Sequence, residues 1–376
     1  MITARGREGL FAQTPAPQGA EARRADRRMG AAPGMTRLDS NENPIGPGNH
    51  VLDAMRGSFD ASNRYPVIAE DDVIGLIAKI QGVKNENVIL GCGSGELLRA
   101  ADQAFTSREA AYVAGGPTFE APGDFAKVLG TQVKVVPVDS NLGLDLGAMG
   151  AASRGAGLVY ICNPNNPTAT VHTKADVLAF IKEVNRSSPN TTVLVDEAYF
   201  EYVENPGYGT VIPEAMQNPR ILVLRTFSKV FGMAGLRLGY AVGAPETLAK
   251  MKPWVMGSNV SALTLSGAAA ALSNPQHIAE EVKRNKEVKA YTRKFFGDLG
   301  LKMSAGDANF MMVDIKTSIA PFKRALVQKT ISVGRPFPPL DTQMRITFGT
   351  MDEMKKALPI IKDQLAAGRT VGQGGK

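Results

Sequence analysis

Two cysteines, three histidines and one tryptophan are all that 376 residues supply. Cys92 and Cys162 stand far apart, with no C-x-x-C pair and no histidine alongside, which excludes a disulfide framework and a zinc site. His50, His172 and His277 follow neither metal-ligand spacing nor a triad signature, so no metal is expected and catalysis must rest on other groups. Cys92 and the lone Trp254 read as core residues. No apolar run reaches the length of a membrane span, and no membrane partner is expected. A basic stripe is missing as well. Of the formal +7, residues 1–35 hold +3, with Arg5, Arg7, Arg23, Arg24, Arg27 and Arg28 against Glu8, Glu21 and Asp26. The remaining charge is dispersed, as on a solvated surface, and no nucleic-acid partner is expected. Those first 35 residues lack apolar periodicity and read as a disordered tail. Their "ARRADRR" has no apolar stretch behind it, so a cytoplasmic location is expected, with an exported or processed N-terminus as the alternative.

What is present is a chain with 44% hydrophobic and 21% charged residues, long enough for two domains. From residue 84, short apolar runs alternate with helical stretches. "NVILGCG", "AAYVAGG", "VKVVPV", "GLVYICN", "TTVLVDEAY" and "RILVLRT" read as strands, and "GELLRAADQAF" and "KADVLAFIKEV" as helices. That order predicts an α/β fold, a mostly parallel sheet covered on both faces, with a ligand beyond the carboxyl ends of its strands.

The residues that carry chemistry fall at those ends. Gly91, Gly93 and Gly95 close one strand and, with Ser94, open a helix whose free N–H groups suit an anion. "NPNNPT" fixes a rigid turn in which Asn166 either serves the turn itself or donates to a ligand oxygen. Asp196 follows three apolar residues, Val193, Leu194 and Val195, and a carboxylate at that depth requires a cation. A salt bridge to Arg225 or Arg237 would supply one; so would a ligand. Tyr199 lies three residues further on. "RTFSKVFGMAGLRLGY" then places Lys229 at a strand end beside Ser228, with Arg237 eight residues on. A lysine in such surroundings has a lowered pKa and attacks carbonyls. A phosphate for Gly93, Ser94, Gly95, Ser228 and Arg237, a ring nitrogen for Asp196 and a phenolic oxygen for Asn166 and Tyr199 together describe pyridoxal phosphate on a Schiff-base lysine.

With these motifs in hand, the chain resembles fold type I pyridoxal-phosphate aminotransferases of class I and II, most similar to the histidinol-phosphate aminotransferase group. The resemblance spans roughly residues 36–365 through "LDSNENPIGP", "RYP", "GCGSGELL", "PTFE", "NPNNPT", "DEAYFEY", the Lys229 stretch, "ANFMMV" and "MRITFGT". It implies a large cofactor-binding domain over residues 67–255, a small α/β domain formed by 36–66 and 256–365, and a flexible tail over 366–376. Phe119 would stack on the pyridine ring, Asp196 hold its nitrogen, and Lys229 carry the internal aldimine. Tyr65 would reach the neighbouring cofactor's phosphate across a homodimer with shared active sites, and Arg345 would clamp the substrate carboxylate. The implied reaction moves an amino group from an L-amino acid or an amino alcohol phosphate, of histidinol-phosphate or aromatic type, to a 2-oxo acid such as 2-oxoglutarate in ping-pong fashion.

Three departures bear on substrate and reaction. Ala169 stands where the family carries glycine. Ile45 stands where a group able to bond a phosphate is common, while Arg335 offers a cation for the far end of the substrate. His50 near the N-terminus raises an amino-acid oxidase as an alternative, and a decarboxylase or lyase shares the same cofactor groups.

Overall fold

The computed structural model describes residues 32–373, with side chains as far as Ala367. The tail expected over residues 1–35 lies almost wholly outside the described residues. The strands are β1 (Thr36–Leu38), β2 (Val88–Gly91), β3 (Ala111–Gly116), β4 (Val133–Pro137), β5 (Ala156–Cys162), β6 (Thr192–Asp196), β7 (Ile221–Thr226), β8 (Gly239–Gly243), β9 (Phe310–Asp314), β10 (Ile331–Val333) and β11 (Gln343–Thr347). Seven of them form one sheet in the order β2-β8-β7-β6-β5-β3-β4. Neighbours from β7 to β4 pair in parallel, whereas β8 runs antiparallel to both β7 and β2. The six strands read from sequence are all in this sheet. Strand β8 was not foreseen, because its two glycines weaken the apolar pattern and its link to β7 carries no crossover α-helix to announce it.

Continuous apolar runs are what a sheet covered on both faces demands. In β5, Val159 and Ile161 enter one hydrophobic cluster, while Leu158, Tyr160 and Cys162 enter the other. A third cluster gathers Leu38, Phe296, Met311, Ile346 and Leu358 around two small sheets, β1 beside β10 and β11 beside β9. Only part of the expected small unit joins it. Val51 from the helix Asn49–Gly57, and Leu265 and Ala268 from the helix Ala262–Leu272, pack into the core of the large sheet instead. The two helices approach so closely at Gly267 that a Cβ there would lie 3.0 Å from the Met55 side chain. At the other end of the chain, the helix Met351–Gln373 runs past residue 365, where a loose tail was expected. Cys92 and Trp254 are both exposed, contrary to the core reading.

One core residue makes a prediction of its own. Asp102, on the helix Ser94–Phe105, is fully buried, and neither carboxylate oxygen has a hydrogen-bond partner. Burial pushes its pKa from 3.8 up to about 8. A carboxyl raised on folding stabilises the fold fully below its unfolded pKa and loses that contribution as pH rises through the folded one. Relative to Asp102→Asn, the native chain is therefore expected to lose roughly 1.4 kcal/mol per pH unit between about pH 4 and 8. Urea midpoints of the two proteins should diverge across that window; parallel profiles would contradict the assignment.

Candidate active site

The carboxyl ends of β3, β5, β6 and β7, together with the end of β2, open on one side of the sheet and deliver "PTFE", "NPNNPT", Asp196, Lys229 and the glycine turn to a single cavity of about 740 Å³. Ser94, Gly95, Phe119, Asn166, Asp196, Tyr199, Ser228, Lys229, Arg237, Arg335 and Arg345 all line it. Gly93 lies just behind. Its φ is +75°, and a Cβ there would fall 2.2 Å from an Arg237 nitrogen, so only glycine lets the guanidinium settle over the turn. Arg237 also hydrogen-bonds the Ala234 carbonyl at 2.8 Å and the Ser228 hydroxyl at 3.4 Å. Cation, hydroxyl and helix N-terminus thus meet at one edge of the cavity.

Asp196 ends β6 and is 3% exposed. The Tyr160 hydroxyl donates to one of its oxygens at 2.8 Å and the Ala198 N–H to the other at 3.1 Å. Burial nevertheless holds its pKa up at about 6, with those two hydrogen bonds opposing the rise. The salt bridge that would have explained Asp196 structurally does not form. Arg225 gives both its Nε and a terminal nitrogen to Glu197, at 3.0 and 2.8 Å, and Arg237 is engaged at the phosphate turn. A buried acid is left facing a cavity.

Lys229 follows β7 and donates to the Asn41 carbonyl at 3.0 Å. Its pKa falls to about 8, first because burial penalises the ammonium and then because Arg345 lies nearby, with Glu42 and Asp196 acting in the opposite sense. At pH 7 about a tenth of the side chain is accordingly the free amine that nucleophilic attack requires, far more than for an ordinary lysine.

Arg345, on β11, arrives from the second unit. One terminal nitrogen donates to the Asn166 side-chain oxygen at 2.7 Å and the other to the Asp39 carbonyl, while the buried Nε has no partner. Burial depresses the guanidinium pKa to about 10. A buried cation with an unused donor is suited to a carboxylate that would supply the missing acceptor. Tyr199 packs edge-on to Phe310, and its hydroxyl accepts from Asn41 at 3.2 Å.

Not every expected residue meets here. Tyr65 is 86% exposed and Ile45 55% exposed, and neither lines the cavity of its own chain. His50 packs edge-to-face on His277, with ring centroids 4.8 Å apart, and does not line the cavity. Arg335 lines the cavity, and Glu120 holds its guanidinium. Ala169 is buried with φ +56°, the left-handed conformation for which glycine is the common solution.

Asn41 and Tyr160 were missed as site residues. Asn41 bonds Tyr199, Lys229 and Thr347 at once. Its position in "LDSNENP" was visible, but its partners come from segments more than 150 residues away. Tyr160 reaches Asp196 only because β5 and β6 pair with Cys162 opposite Asp196, a register that no local pattern discloses.

A parallel sheet with an amine-bearing lysine, a buried acid and an anion turn at its strand ends defines a fold type I pyridoxal-phosphate enzyme. The chain belongs to the aminotransferase class I and II family, whose model matches residues 33–361. It is 34% identical over 369 residues to a histidinol-phosphate aminotransferase of Moorella thermoacetica, covering 96% of this chain and 93% of that one. A second such enzyme, from Symbiobacterium thermophilum, is 33% identical, covering 89% and 91%. Among solved structures, a putative histidinol-phosphate aminotransferase of Erwinia carotovora atroseptica superposes with TM-score 0.83 at 30% identity, covering 87% of this chain and 94% of that one. The Sinorhizobium meliloti histidinol-phosphate aminotransferase, solved with pyridoxal-5'-phosphate, shares the fold at TM-score 0.84 and 24% identity, covering 96% and 100%.

The chain is therefore an aminotransferase, similar to histidinol-phosphate aminotransferases, with pyridoxal phosphate as its cofactor. The residues present fit that group: a buried acid without a salt-bridge partner, a turn in which a Cβ at Gly93 would strike Arg237, and a lysine held partly as free amine.

Proposed function

We propose that Lys229 is the covalent anchor and proton carrier of an aminotransferase acting on a donor of histidinol-phosphate or aromatic type, with a 2-oxo acid such as 2-oxoglutarate as acceptor. The observation that carries this reading is the shared cavity. Lys229, with a pKa of about 8, shares it with the acid Asp196 and the buried Arg345, whose Nε still lacks an acceptor. When bound, the cofactor supplies a carbonyl for amine capture and a ring that takes up the electrons released at the substrate carbon.

The chain's own groups do the rest. Asp196, fixed by Tyr160 and Ala198, keeps a positive charge at the ring nitrogen's place. Asn166 and Tyr199 would address the phenolic oxygen, and Phe119 would cover the ring face. Ser94, Gly95, Ser228 and Arg237 would hold the phosphate. Arg345 orients the donor's anionic group, so that the bond to hydrogen rather than the bond to carbon is the one broken. Lys229 would take that proton from the substrate carbon and return it on the far side of the amino nitrogen, two atoms away.

We also place Tyr65 at a homodimer interface. It stands on a surface where Phe59, Val67 and Ile68 are exposed, with Ile68 at 78%, and apolar exposure of this kind marks protein contact. The smaller unit, carrying Arg335 and Arg345, closes on substrate. Among the described residues, no helix is long and apolar enough to cross a membrane.

Initial rates with histidinol phosphate and 2-oxoglutarate test the reading. Parallel double-reciprocal lines are expected, and the donor alone should yield one oxo product per active site. Converging lines, or release of hydrogen peroxide or carbon dioxide, would contradict it.

A further inference from the structure

Arg335 reaches the cavity from the segment between β10 and β11 and meets "PTFE", which follows β3, at Glu120. Its Nη2 is paired with Glu120, 215 residues away in sequence, Nη1 donates to the Pro336 carbonyl at 2.7 Å, and its guanidinium carbon lies 4.2 Å from the centre of the Phe337 ring. The ion pair is neither surface decoration nor core. The two side chains are 23% and 35% exposed, and both line the cavity that holds Lys229. Both also act on Arg345, Arg335 lowering its pKa and Glu120 raising it, which places the pair within electrostatic reach of the carboxylate clamp. Glu120 precedes the helix Ala121–Val128 at the N-cap, yet its side chain makes no capping hydrogen bond. Asp124, one helical turn further on, lines the same wall.

A cation paired with a carboxylate of its own chain is neutral toward an incoming ligand. An anionic group must displace that carboxylate before it gains the two-donor contact that arginine offers. An uncharged side chain packs against Phe337 and the methylene stem of Arg335 without breaking anything. We infer that Glu120 is a specificity-determining residue of this aminotransferase: it competes with the anionic end of a substrate for Arg335 and shifts selection toward ligands with an uncharged end. The inference rests on the aminotransferase reading only in that the cavity is the substrate site.

Two unreactive ligands separate it from that reading. Glutarate carries two carboxylates, one for Arg345 and one for Arg335, whereas butyrate carries one. Calorimetric titration of the pyridoxal-phosphate-loaded enzyme with each gives the ratio of the butyrate Kd to the glutarate Kd. In Glu120→Gln, and equally in Glu120→Ala, that ratio is expected to rise at least tenfold; adding Arg335→Gln to either variant should abolish the rise. A ratio that stays level or falls in both single variants would overturn the inference, as would a rise that persists without Arg335. Neither result depends on turnover. Absence of amino transfer in the unaltered enzyme would count against the proposed function alone.

Discussion

Lys229→Ala is expected to lower amino transfer by at least about a thousandfold, the upper part of the range for losing a positioned proton carrier, since the same group is also the nucleophile. The neighbouring structure should survive the change. The Lys229 Nζ makes its hydrogen bond to the Asn41 carbonyl, and Asn309 donates to the same oxygen at 3.0 Å, so the acceptor is not orphaned. Lys229→Arg should fail as completely, because it preserves the positive charge but cannot become a neutral amine. That pair of variants separates chemistry from electrostatics. If Lys229→Arg retained more than a tenth of native turnover, the lysine would be serving as a charge only. In the native protein the rate of cofactor capture should climb between pH 7 and 9, as the amine with its pKa of about 8 loses its proton.

Asp196→Asn is expected to reduce turnover by roughly 10²–10³-fold, comparable to removing a preorganised electrostatic partner from a dry site. The amide replaces the acid without a change of shape, and its oxygen can still accept from the Tyr160 hydroxyl. What disappears is the negative charge. The native acid has its pKa raised to about 6, so lowering the pH through that value protonates it and should weaken cofactor retention. Asp196→Asn should show weak retention at every pH, without that acidic limb. Cofactor dissociation measured from pH 5 to 8 in both proteins checks this, and an identical limb in the variant would assign it to another group.

How far these groups could be found in the sequence depends on how local their signals are. The strands of the large sheet were legible because burial on both faces writes continuous apolar runs. Lys229, Asp196, Asn166 and the glycine turn were legible because each sits where such a run stops. Strand β8 escaped since antiparallel pairing needs no helix to announce it. Within the segments 36–66 and 256–365, two helices pack on the large sheet's cluster, not on the smaller one. The resemblance implied the grouping, whereas Val51, Leu265 and Ala268 from the helices Asn49–Gly57 and Ala262–Leu272 join the large sheet's core. Asn41, Tyr160 and Glu120 act through partners 36 to 215 residues distant, and only the folded register brings them to Tyr199, Asp196 and Arg335. Ile45 and Tyr65 were carried by resemblance alone, and within one chain both stand outside the cavity.

Borohydride reduction of the purified, cofactor-saturated protein, followed by proteolysis and peptide mass mapping, tests the central claim most directly. A reduced pyridoxyl group is predicted on Lys229, in the peptide containing Phe227 and Ser228, and on no other lysine. Its absence there, or its stoichiometric presence on a different lysine, would contradict the account.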